Sequence, residues 1–277
     1  MNAPIPSARL EAKDYKSDVK PIWCPGCGDF GVLAGLQRGL AALGRPPHEI
    51  AVVSGIGCSS RLPAYVSGYG FHGLHGRALP IATGLKLARP EIEVIAVGGD
   101  GDGYSIGGNH FLHACRRNVD MLYMVMDNRV YGMTKGQPSP TTESDWQSAL
   151  SPRGSGTEPF NPMALALAAG ANFIARGFSG DPNGLGKLVV EAVRSPGFSF
   201  VEVLSPCLTF RPEQKGWKEL VHQGPEQAAT EMPAAMAALL ADDGFGLGIF
   251  YRGHRAASAP LRQREAAAGE IEQEFAL

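Results

Sequence analysis

Short apolar runs alternate with amphipathic segments along most of the chain. Continuous apolar runs of strand length predict buried strands at residues 50–54, 91–97, 121–126, 172–175 and 198–204. Apolar residues at helical spacing predict helices at residues 30–40, 80–88, 105–117, 162–169 and 185–194. Strands that alternate with helices are typical of an α/β fold, in which a parallel sheet has helices on both faces. Ligands of such folds bind beyond the carboxyl ends of the strands.

The two ends of the chain interrupt this alternation. The first residues, rich in Pro, Ser, Lys and Asp, predict an extended arm that needs a partner surface to become ordered. The tail after Gly216 predicts a helix at 225–240, an apolar strand at 247–251 and a charged, alanine-rich end. The expected organisation is an N-terminal arm (1–21), an α/β domain (22–215) and a C-terminal extension (216–277) that packs on the domain or on a partner subunit.

Two local features bear on the site. Asp29 precedes the first helical run and is a candidate N-cap. A polar loop rich in Pro, Ser, Thr and Gly fills residues 133–156. Loops of this length inside a compact domain are commonly functional. The loop is therefore predicted to cover a cofactor or to face a partner.

Composition and charge narrow the class of protein. The 277 residues carry a formal net charge of -2 and no run of Lys or Arg, which argues against nucleic acid or an acidic membrane surface as partner. No segment approaches the roughly 20 consecutive apolar residues of a membrane span, and the N-terminus lacks the apolar core of a signal peptide. A cytoplasmic protein is expected. Five cysteines in a reducing compartment are more often free thiols or metal ligands than disulfides.

Glycines flank an aspartate at the end of one predicted strand. Asp100 lies between Gly99 and Gly101, and Asn128 follows the strand at 121–126, so that 30 residues run from Gly99 to Asn128. A small, hard cation is usually held by one or two protein carboxylates together with phosphate oxygens. The flanking glycines let backbone amides approach a diphosphate. This spacing favours a magnesium and diphosphate site of the thiamine diphosphate type over a glycine-rich turn that binds no ligand.

The cysteines form a second candidate site. Cys24 and Cys27 form a C-x-x-C turn that is compatible with a redox dithiol, half a zinc site or half an iron–sulfur site. The dithiol is least favoured, because a thioredoxin motif belongs to a smaller fold. Cys58 and Cys207, in glycine or proline turns at strand ends, are candidates for the remaining soft ligands. Their spacing does not discriminate zinc from a cluster. Cys115, within a predicted helix, is interpreted as an ordinary buried thiol.

Several motifs occur together in one order. They are Cys-Pro-Gly-Cys-Gly at 24–28, Gly-Ile-Gly-Cys-Ser at 55–59, His-Gly-Arg-Ala at 75–78, Gly-Asp-Gly-Asp-Gly at 99–103, Met-Asp-Asn-Arg-Val-Tyr-Gly-Met-Thr-Lys-Gly-Gln at 126–137 and Ser-Pro-Cys at 205–207. Together they closely resemble the β subunit of 2-oxoacid:ferredoxin oxidoreductases. The resemblance extends from about residue 20 to about residue 210, and residues 217–277 carry no such motif.

The resemblance implies roles for individual residues. The implied magnesium ligands are Asp100, Asn128 and the backbone carbonyl of Val130. The implied lining of the thiamine diphosphate pocket is Ser59, His75, Gly99, Gly101, Asp102 and Thr134. The implied ligands of a four-iron four-sulfur (4Fe-4S) cluster are Cys24, Cys27, Cys58 and Cys207. Cys58 beside Ser59 would place this cluster next to the cofactor pocket.

The resemblance also implies an activity that needs partners. The reaction would be the oxidative decarboxylation of a 2-oxoacid with coenzyme A, with electrons leaving through the cluster to ferredoxin. The reverse carboxylation is equally open. The acid that activates the aminopyrimidine is expected on an α subunit that carries the pyrimidine-binding domain, so no catalytic acid is assigned to this chain. The chain is predicted to be inactive outside an αβ or α2β2 heteromer.

Two positions near the substrate imply the 2-oxoglutarate type. Met133 stands in a segment similar to that of 2-oxoglutarate-type subunits, and Arg61 matches a basic position near the distal end of the substrate. A β subunit for pyruvate or for a broad range of 2-oxoacids is the first alternative. A non-redox thiamine diphosphate-dependent decarboxylase subunit is the second. The third is a zinc-stapled interaction domain whose Gly-Asp-Gly turn is purely structural.

Overall fold

The computed structural model describes residues 10–258. The strands are β1 (Ile50–Ser54), β2 (Tyr69–His72), β3 (Glu93–Gly99), β4 (Met121–Asp127), β5 (Phe173–Phe178), β6 (Phe198–Leu204), β7 (His222–Gln223) and β8 (Gly246–Arg252). The α-helices are α1 (Asp29–Leu43), α2 (Ala78–Ala88), α3 (Gly108–Arg117), α4 (Pro162–Ala168), α5 (Pro182–Arg194), α6 (Trp217–Leu220) and α7 (Met232–Ala241). Within residues 10–258, no helix is both long and apolar enough to cross a membrane.

The strands form one sheet in the order β2-β1-β3-β4-β6-β5-β8-β7. The six strands from β2 to β5 in this order pair in parallel. The tail adds β8 antiparallel to β5, and β7 pairs in parallel with β8. The predicted parallel α/β sheet is therefore confirmed. The sequence pattern did not indicate the antiparallel strand β8.

Two apolar clusters cover the two faces of the sheet. Successive side chains of a strand point to opposite faces, so Ala51 and Val53 of β1 join one cluster while Ile50 and Val52 join the other. Helices α2, α3, α4 and α7 cover the first face, and α1 and α5 cover the second. The apolar runs are nearly continuous because a strand covered on both faces buries the side chains of both faces.

The carboxyl ends of four neighbouring strands meet at one edge of the sheet. Cys58 follows β1, Asp100 follows β3, Asn128 follows β4 and Cys207 follows β6. From β1 the chain goes outward to β2 and then returns to β3 on the other side of β1. The crevice between β1 and β3 is therefore a topological switch point, where open α/β sheets bind their ligands.

Two predicted helix starts near the candidate site are wrong. Asp29 is the first residue of α1 and not its N-cap, which is Gly28; the Asp29 carboxylate instead accepts a hydrogen bond from the Ser205 hydroxyl (2.8 Å). The helix predicted at 105–117 begins at Gly108, after a π-helical turn over Gly101–Ile106. Turns of this kind are frequent at functional sites, and this one follows directly from Asp100.

The two ends of the chain also differ from expectation. Residues 10–21 pack on the chain itself, since Tyr15 is fully buried and its hydroxyl donates to the Arg45 carbonyl (2.6 Å). The predicted helix at 225–240 begins only at Met232, with Pro233 in its first turn, where proline is best tolerated. The strand β8 joins the main sheet. Residues 1–9 of the predicted arm and the alanine-rich end from 259 onward lie outside the described residues.

Candidate active site

A cavity at the carboxyl edge of the sheet collects most of the residues that the sequence singled out. The cavity has a volume of about 200 Å³. Its wall includes Cys58, Ser59, His75, Gly99, Asp100, Gly101, Asp102, Asn128, Val130, Met133 and Thr134. Arg61 is not part of this wall and lies two residues beyond Ser59, in the 3-10 turn Ser59–Tyr65.

Asp100 is buried at the end of β3 and is held by hydroxyl groups. Its Oδ2 accepts hydrogen bonds from Ser139 and from Thr141 (3.0 Å for Thr141). The Thr141 hydroxyl also lies 2.7 Å from Oδ1 of Asp127, which is equally buried. Ser139 and Thr141 belong to the loop predicted as an outer cover or flap, but both are buried. That prediction is wrong for residues 139–142, which lie beneath the site because their hydroxyls satisfy the buried carboxylates.

Burial controls the ionisation of these two carboxyl groups. Desolvation raises the pKa of Asp100 above its ordinary value. Desolvation, followed by the charge of Asp100, raises the pKa of Asp127 from 3.8 to about 7. A divalent cation beside Asp100 would favour both ionised forms, because an opposite charge stabilises a carboxylate.

Asp102, within the π-helical turn, joins three segments of the cavity wall. Its Oδ1 lies 3.0 Å from the Ile56 amide nitrogen, 2.7 Å from that of Gly76 and 2.7 Å from Nδ1 of His75. With the carboxylate as acceptor, Nδ1 is the donor nitrogen of the His75 ring. Asp102 is therefore a buried scaffold residue and not a solvated turn residue.

The backbone forms a close cradle around Asp100. A methyl group at Gly101 would overlap the Tyr131 ring, whose hydroxyl donates to the Gly101 carbonyl (3.1 Å). Asn128 and Val130 also belong to the cavity wall, and the Val130 amide donates a hydrogen bond to Asn128 Oδ1 (3.1 Å). A carboxylate, an amide oxygen and a backbone carbonyl beside a glycine turn are the donor set that a magnesium-bound diphosphate requires. These residues therefore fit that group.

The four cysteines of the second candidate site converge beside this cavity. The Cys24–Cys27 turn is tied to the segment after β6, since Gly28 N–H donates to the Pro206 carbonyl (3.0 Å). A methyl group at Gly132 would lie 3.5 Å from the sulfur of Cys207 and 3.9 Å from that of Cys58. Cys24 is exposed and the other three are half-buried. The fifth, Cys115, is buried in the apolar cluster on the opposite face of the sheet.

The spacing of the sulfur atoms bears on the kind of centre that they could hold. Tetrahedral zinc with bonds of about 2.3 Å holds its sulfur ligands roughly 3.8 Å apart. Within residues 10–258, no three cysteine sulfurs lie within 4.8 Å of one another. A four-iron cluster binds each thiolate to a different iron and so holds the sulfurs further apart. Burial raises the pKa of Cys27 and raises that of Cys58 to about 11, and a cationic centre would favour the thiolate forms.

Sequence reasoning missed several residues that build the site. They are Asp127, Tyr131, Ser139 and Thr141. The segment Ser139-Pro140-Thr141-Thr142 contains three hydroxyl side chains, and this was the one available signal for the support of Asp100. Because the loop is long, its sequence did not predict where it lies relative to the sheet.

Comparison with known proteins places this site in a class. Residues 50–203 match the family model described as thiamine pyrophosphate enzyme, C-terminal TPP binding domain. The fold and the cavity thus define a thiamine diphosphate-binding domain. The 2-oxoglutarate oxidoreductase subunit KorB of Mycobacterium tuberculosis is 47% identical over 211 residues, which cover 76% of this chain and 57% of that protein. Subunit beta of the 2-oxoacid:ferredoxin oxidoreductase 2 of Aeropyrum pernix is 41% identical over 254 residues, which cover 86% of this chain and 82% of that protein.

The chain therefore belongs to the family of 2-oxoacid:ferredoxin oxidoreductase β subunits, as its motifs indicated. A solved structure, described as the 2-oxoglutarate:ferredoxin oxidoreductase from Magnetococcus marinus with 2-oxoglutarate, coenzyme A and succinyl-CoA bound, superposes with a TM-score of 0.87 at 40% identity. The match covers 96% of this chain and 90% of that one.

Proposed function

We propose that this chain is the β subunit of a 2-oxoglutarate:ferredoxin oxidoreductase. The complex would convert 2-oxoglutarate and coenzyme A to succinyl-CoA and CO2, pass two electrons to ferredoxin, and also run in the carboxylating direction. One observation carries the proposal: Cys58, a member of the cysteine group, lies in the wall of the cavity that contains Asp100 and Asn128. The names of the similar proteins support the choice of 2-oxoglutarate.

The magnesium and diphosphate end of the cofactor is assigned to the cradle after β3 and β4. Asp100, Asn128 and the carbonyl of Val130 would hold Mg²⁺. The remaining contacts would come from Ser59, His75, Gly99, Gly101, Asp102 and Thr134. Bound thiamine diphosphate supplies a nucleophilic carbon and an electron sink for decarboxylation. The protein's own contribution is to fix the cofactor, through the hydroxyl support of Asp100 and the hydrogen bonds of Asp102 to two other wall segments, at Ile56 and at residues 75–76.

Electron exit is assigned to Cys24, Cys27, Cys58 and Cys207. A 4Fe-4S cluster at these thiolates supplies the one-electron carrier that ferredoxin requires. Cys58 gives a short route from the cavity to the cluster, because it belongs to both groups. Cys24 is the exposed member, and it therefore marks the side from which ferredoxin would take electrons.

Substrate choice is assigned to Arg61 and Met133. Met133 is in the cavity wall, whereas Arg61 is half-buried in the turn after Cys58. Within residues 10–258 the Arg61 guanidinium pairs with no carboxylate. It is thus available to a distal carboxylate, which 2-oxoglutarate has and pyruvate lacks. A charged hydrogen bond of this kind gives about 10- to 100-fold discrimination.

The rest of the active site is assigned to the α subunit. The carboxylates of the wall are Asp100 and Asp102, and both are committed to structural hydrogen bonds. We therefore assign the activation of the far end of the cofactor to neither of them. The activating acid and the pyrimidine-binding surface would therefore come from the α subunit, and the β chain alone would have no activity.

The test is an omission assay on the anaerobically prepared complex with its α subunit. With 2-oxoglutarate, coenzyme A and an oxidised viologen dye, we expect succinyl-CoA to form together with reduced dye. Omission of either substrate or of the α subunit should abolish both signals. CO2 release without dye reduction would instead identify a non-redox decarboxylase, and pyruvate used as well as 2-oxoglutarate would identify a broader enzyme.

A further inference from the structure

Gln214 is a buried amide that touches both candidate cofactor segments. It lies in the 3-10 turn Pro212–Gly216 and is 1% exposed. Its Nε2 donates to the carbonyl oxygen of Asn128 (2.7 Å), and its Oε1 accepts from the backbone N–H of Cys207 (2.8 Å). Both polar atoms of one side chain thus join the segment after β4 to the segment after β6.

The Gln214 side chain extends the hydrogen bonding between β4 and β6 beyond the point where the backbone hydrogen bonds end. β4 and β6 pair in register up to Asp127 and Leu204, and Ser205 N–H then donates to the Asp127 carbonyl (2.8 Å). Beyond that bond the two segments separate, because one enters the magnesium cradle and the other enters the cysteine group. Gln214 spans the gap with one hydrogen bond to each side.

Hydrogen bonds also hold the turn that carries Gln214. Gln214 N–H donates to the Arg211 carbonyl (3.0 Å), and Arg211 N–H donates to the Cys207 carbonyl (2.8 Å). The buried Arg211 guanidinium in turn donates to Glu143 (2.7 Å). Within residues 10–258, the Asn128 carbonyl and the Cys207 amide have no other protein partner. Removal of the Gln214 amide would leave both without a hydrogen bond.

We propose that Gln214 is a positioning residue that holds the magnesium-binding segment and the cluster-binding segment in one register. This inference rests on the proposed function, since it takes Asn128 and Cys207 as ligands of two centres. Loss of the amide should therefore weaken both cofactor sites together, although Gln214 is not part of the cavity wall.

The test compares variants of the anaerobic complex with its α subunit. Gln214→Met has a similar length and removes both hydrogen bonds, whereas Gln214→Glu retains an acceptor for Cys207 N–H in either protonation state. Gln223→Met makes the matched change at an exposed glutamine in β7. Two quantities are measured without 2-oxoacid: the Kd of thiamine diphosphate with Mg²⁺, from tryptophan fluorescence, and the rate of iron removal by a chelator.

We expect Gln214→Met to raise the Kd about 10-fold or more and to speed iron release by a similar factor, because buried partners lose their hydrogen bonds. Gln214→Glu should release iron at the wild-type rate, and Gln223→Met should match wild type in both measurements. The role of Gln214 is overturned if Gln214→Met changes one quantity alone or neither, or if Gln214→Glu releases iron as fast as Gln214→Met.

Misfolding of the variant and failure of the proposed function can each be distinguished from failure of the Gln214 role. If Gln214→Met does not fold, as judged by thermal unfolding, Gln214→Asn replaces it with the same expectations, because its shorter side chain cannot span both partners. If the wild-type complex itself lacks iron or does not bind thiamine diphosphate, the proposed function fails. If wild type binds both and Gln214→Met is indistinguishable from it, only the role of Gln214 fails.

Discussion

Asp127 carries a pH-dependent cost in stability that an amide at the same position removes. The side chain is buried beside Asp100, and its Oδ1 accepts from Arg129 N–H (2.9 Å) and lies 2.7 Å from the Thr141 hydroxyl oxygen. Asparagine keeps this acceptor oxygen and removes the charge. We expect Asp127→Asn to raise the free energy of unfolding of the magnesium-free protein at pH 8.

The magnitude follows from the pKa of the same carboxyl group in the unfolded and folded chain. Burial, followed by the charge of Asp100, raises this pKa from 3.8 to about 7. At about 1.4 kcal/mol per pH unit, the ionised folded form is destabilised by roughly 4 kcal/mol. Burial of the new amide N–H2 costs about 1–3 kcal/mol, so the net gain expected at pH 8 is about 1–3 kcal/mol.

The sign of the pH dependence follows from proton binding. Between pH 3.8 and about pH 7, the folded state holds this proton more often than the unfolded state does. The stability that this carboxyl group contributes is therefore fully present below pH 3.8 and is lost as the pH rises through about 7. Asp127→Asn lacks this decline, so its advantage over wild type should grow with pH and level off above about pH 7.

The assay is urea unfolding of the isolated chain in the presence of a magnesium chelator, at intervals from pH 5 to pH 8. Asp145→Asn, in the exposed part of the same loop, is the control for the loss of one negative charge. Parallel pH profiles for wild type and Asp127→Asn would refute the claim that this buried carboxyl group destabilises the fold. Saturating Mg²⁺ and thiamine diphosphate should reduce the advantage of the variant, because a bound cation stabilises the ionised carboxylate.

Three further substitutions test other parts of the structure. Cys27→Ser should deplete iron from the anaerobic complex, whereas Cys115→Ser, on the opposite face of the sheet, should retain about four irons per β chain; equal iron contents would contradict the assignment of ligands. Arg61→Leu should raise the KM for 2-oxoglutarate about 10- to 100-fold and leave the KM for pyruvate and 2-oxobutyrate nearly unchanged, and an equal change for all three would exclude a role in substrate choice. Arg176→Met breaks a buried ion triad with Glu202 (2.6 Å) and Asp242 and should lower the free energy of unfolding in urea by about 3–5 kcal/mol. Arg252→Met, which breaks an exposed pair with Glu191, should lower it by less than about 1 kcal/mol. Similar losses for the two variants would show that burial is not decisive.

The sequence was sufficient to predict the parallel core and the position of the cavity. Strands β3, β4 and β6 are apolar at most positions because helices cover both faces, and this produces a clear pattern. Asp100 and Asn128 could be paired because the carboxyl ends of parallel strands meet at one edge. The shared wall of Cys58 and Ser59 followed from their adjacency in sequence.

Features that depend on tertiary contacts could not be predicted in this way. The hydroxyls of Ser139 and Thr141 lie in a loop without periodicity, and only the buried charge of Asp100 explains their position. The side chain of Asp29 is turned toward Ser205, a contact 176 residues away along the chain. The antiparallel direction of β8 is equally invisible in the pattern, because an apolar run gives no orientation.

Electron transfer from the cavity to the cysteine group is tested most directly by a single-turnover experiment. The anaerobic complex with its α subunit, loaded with thiamine diphosphate and Mg²⁺ and carrying an oxidised cluster, is mixed with 2-oxoglutarate in the absence of ferredoxin and dye. We predict that the visible absorbance of the cluster bleaches as CO2 is released, and that Asp100→Ala abolishes both signals. Release of CO2 without bleaching, or a complex that contains no iron, would contradict the assignment.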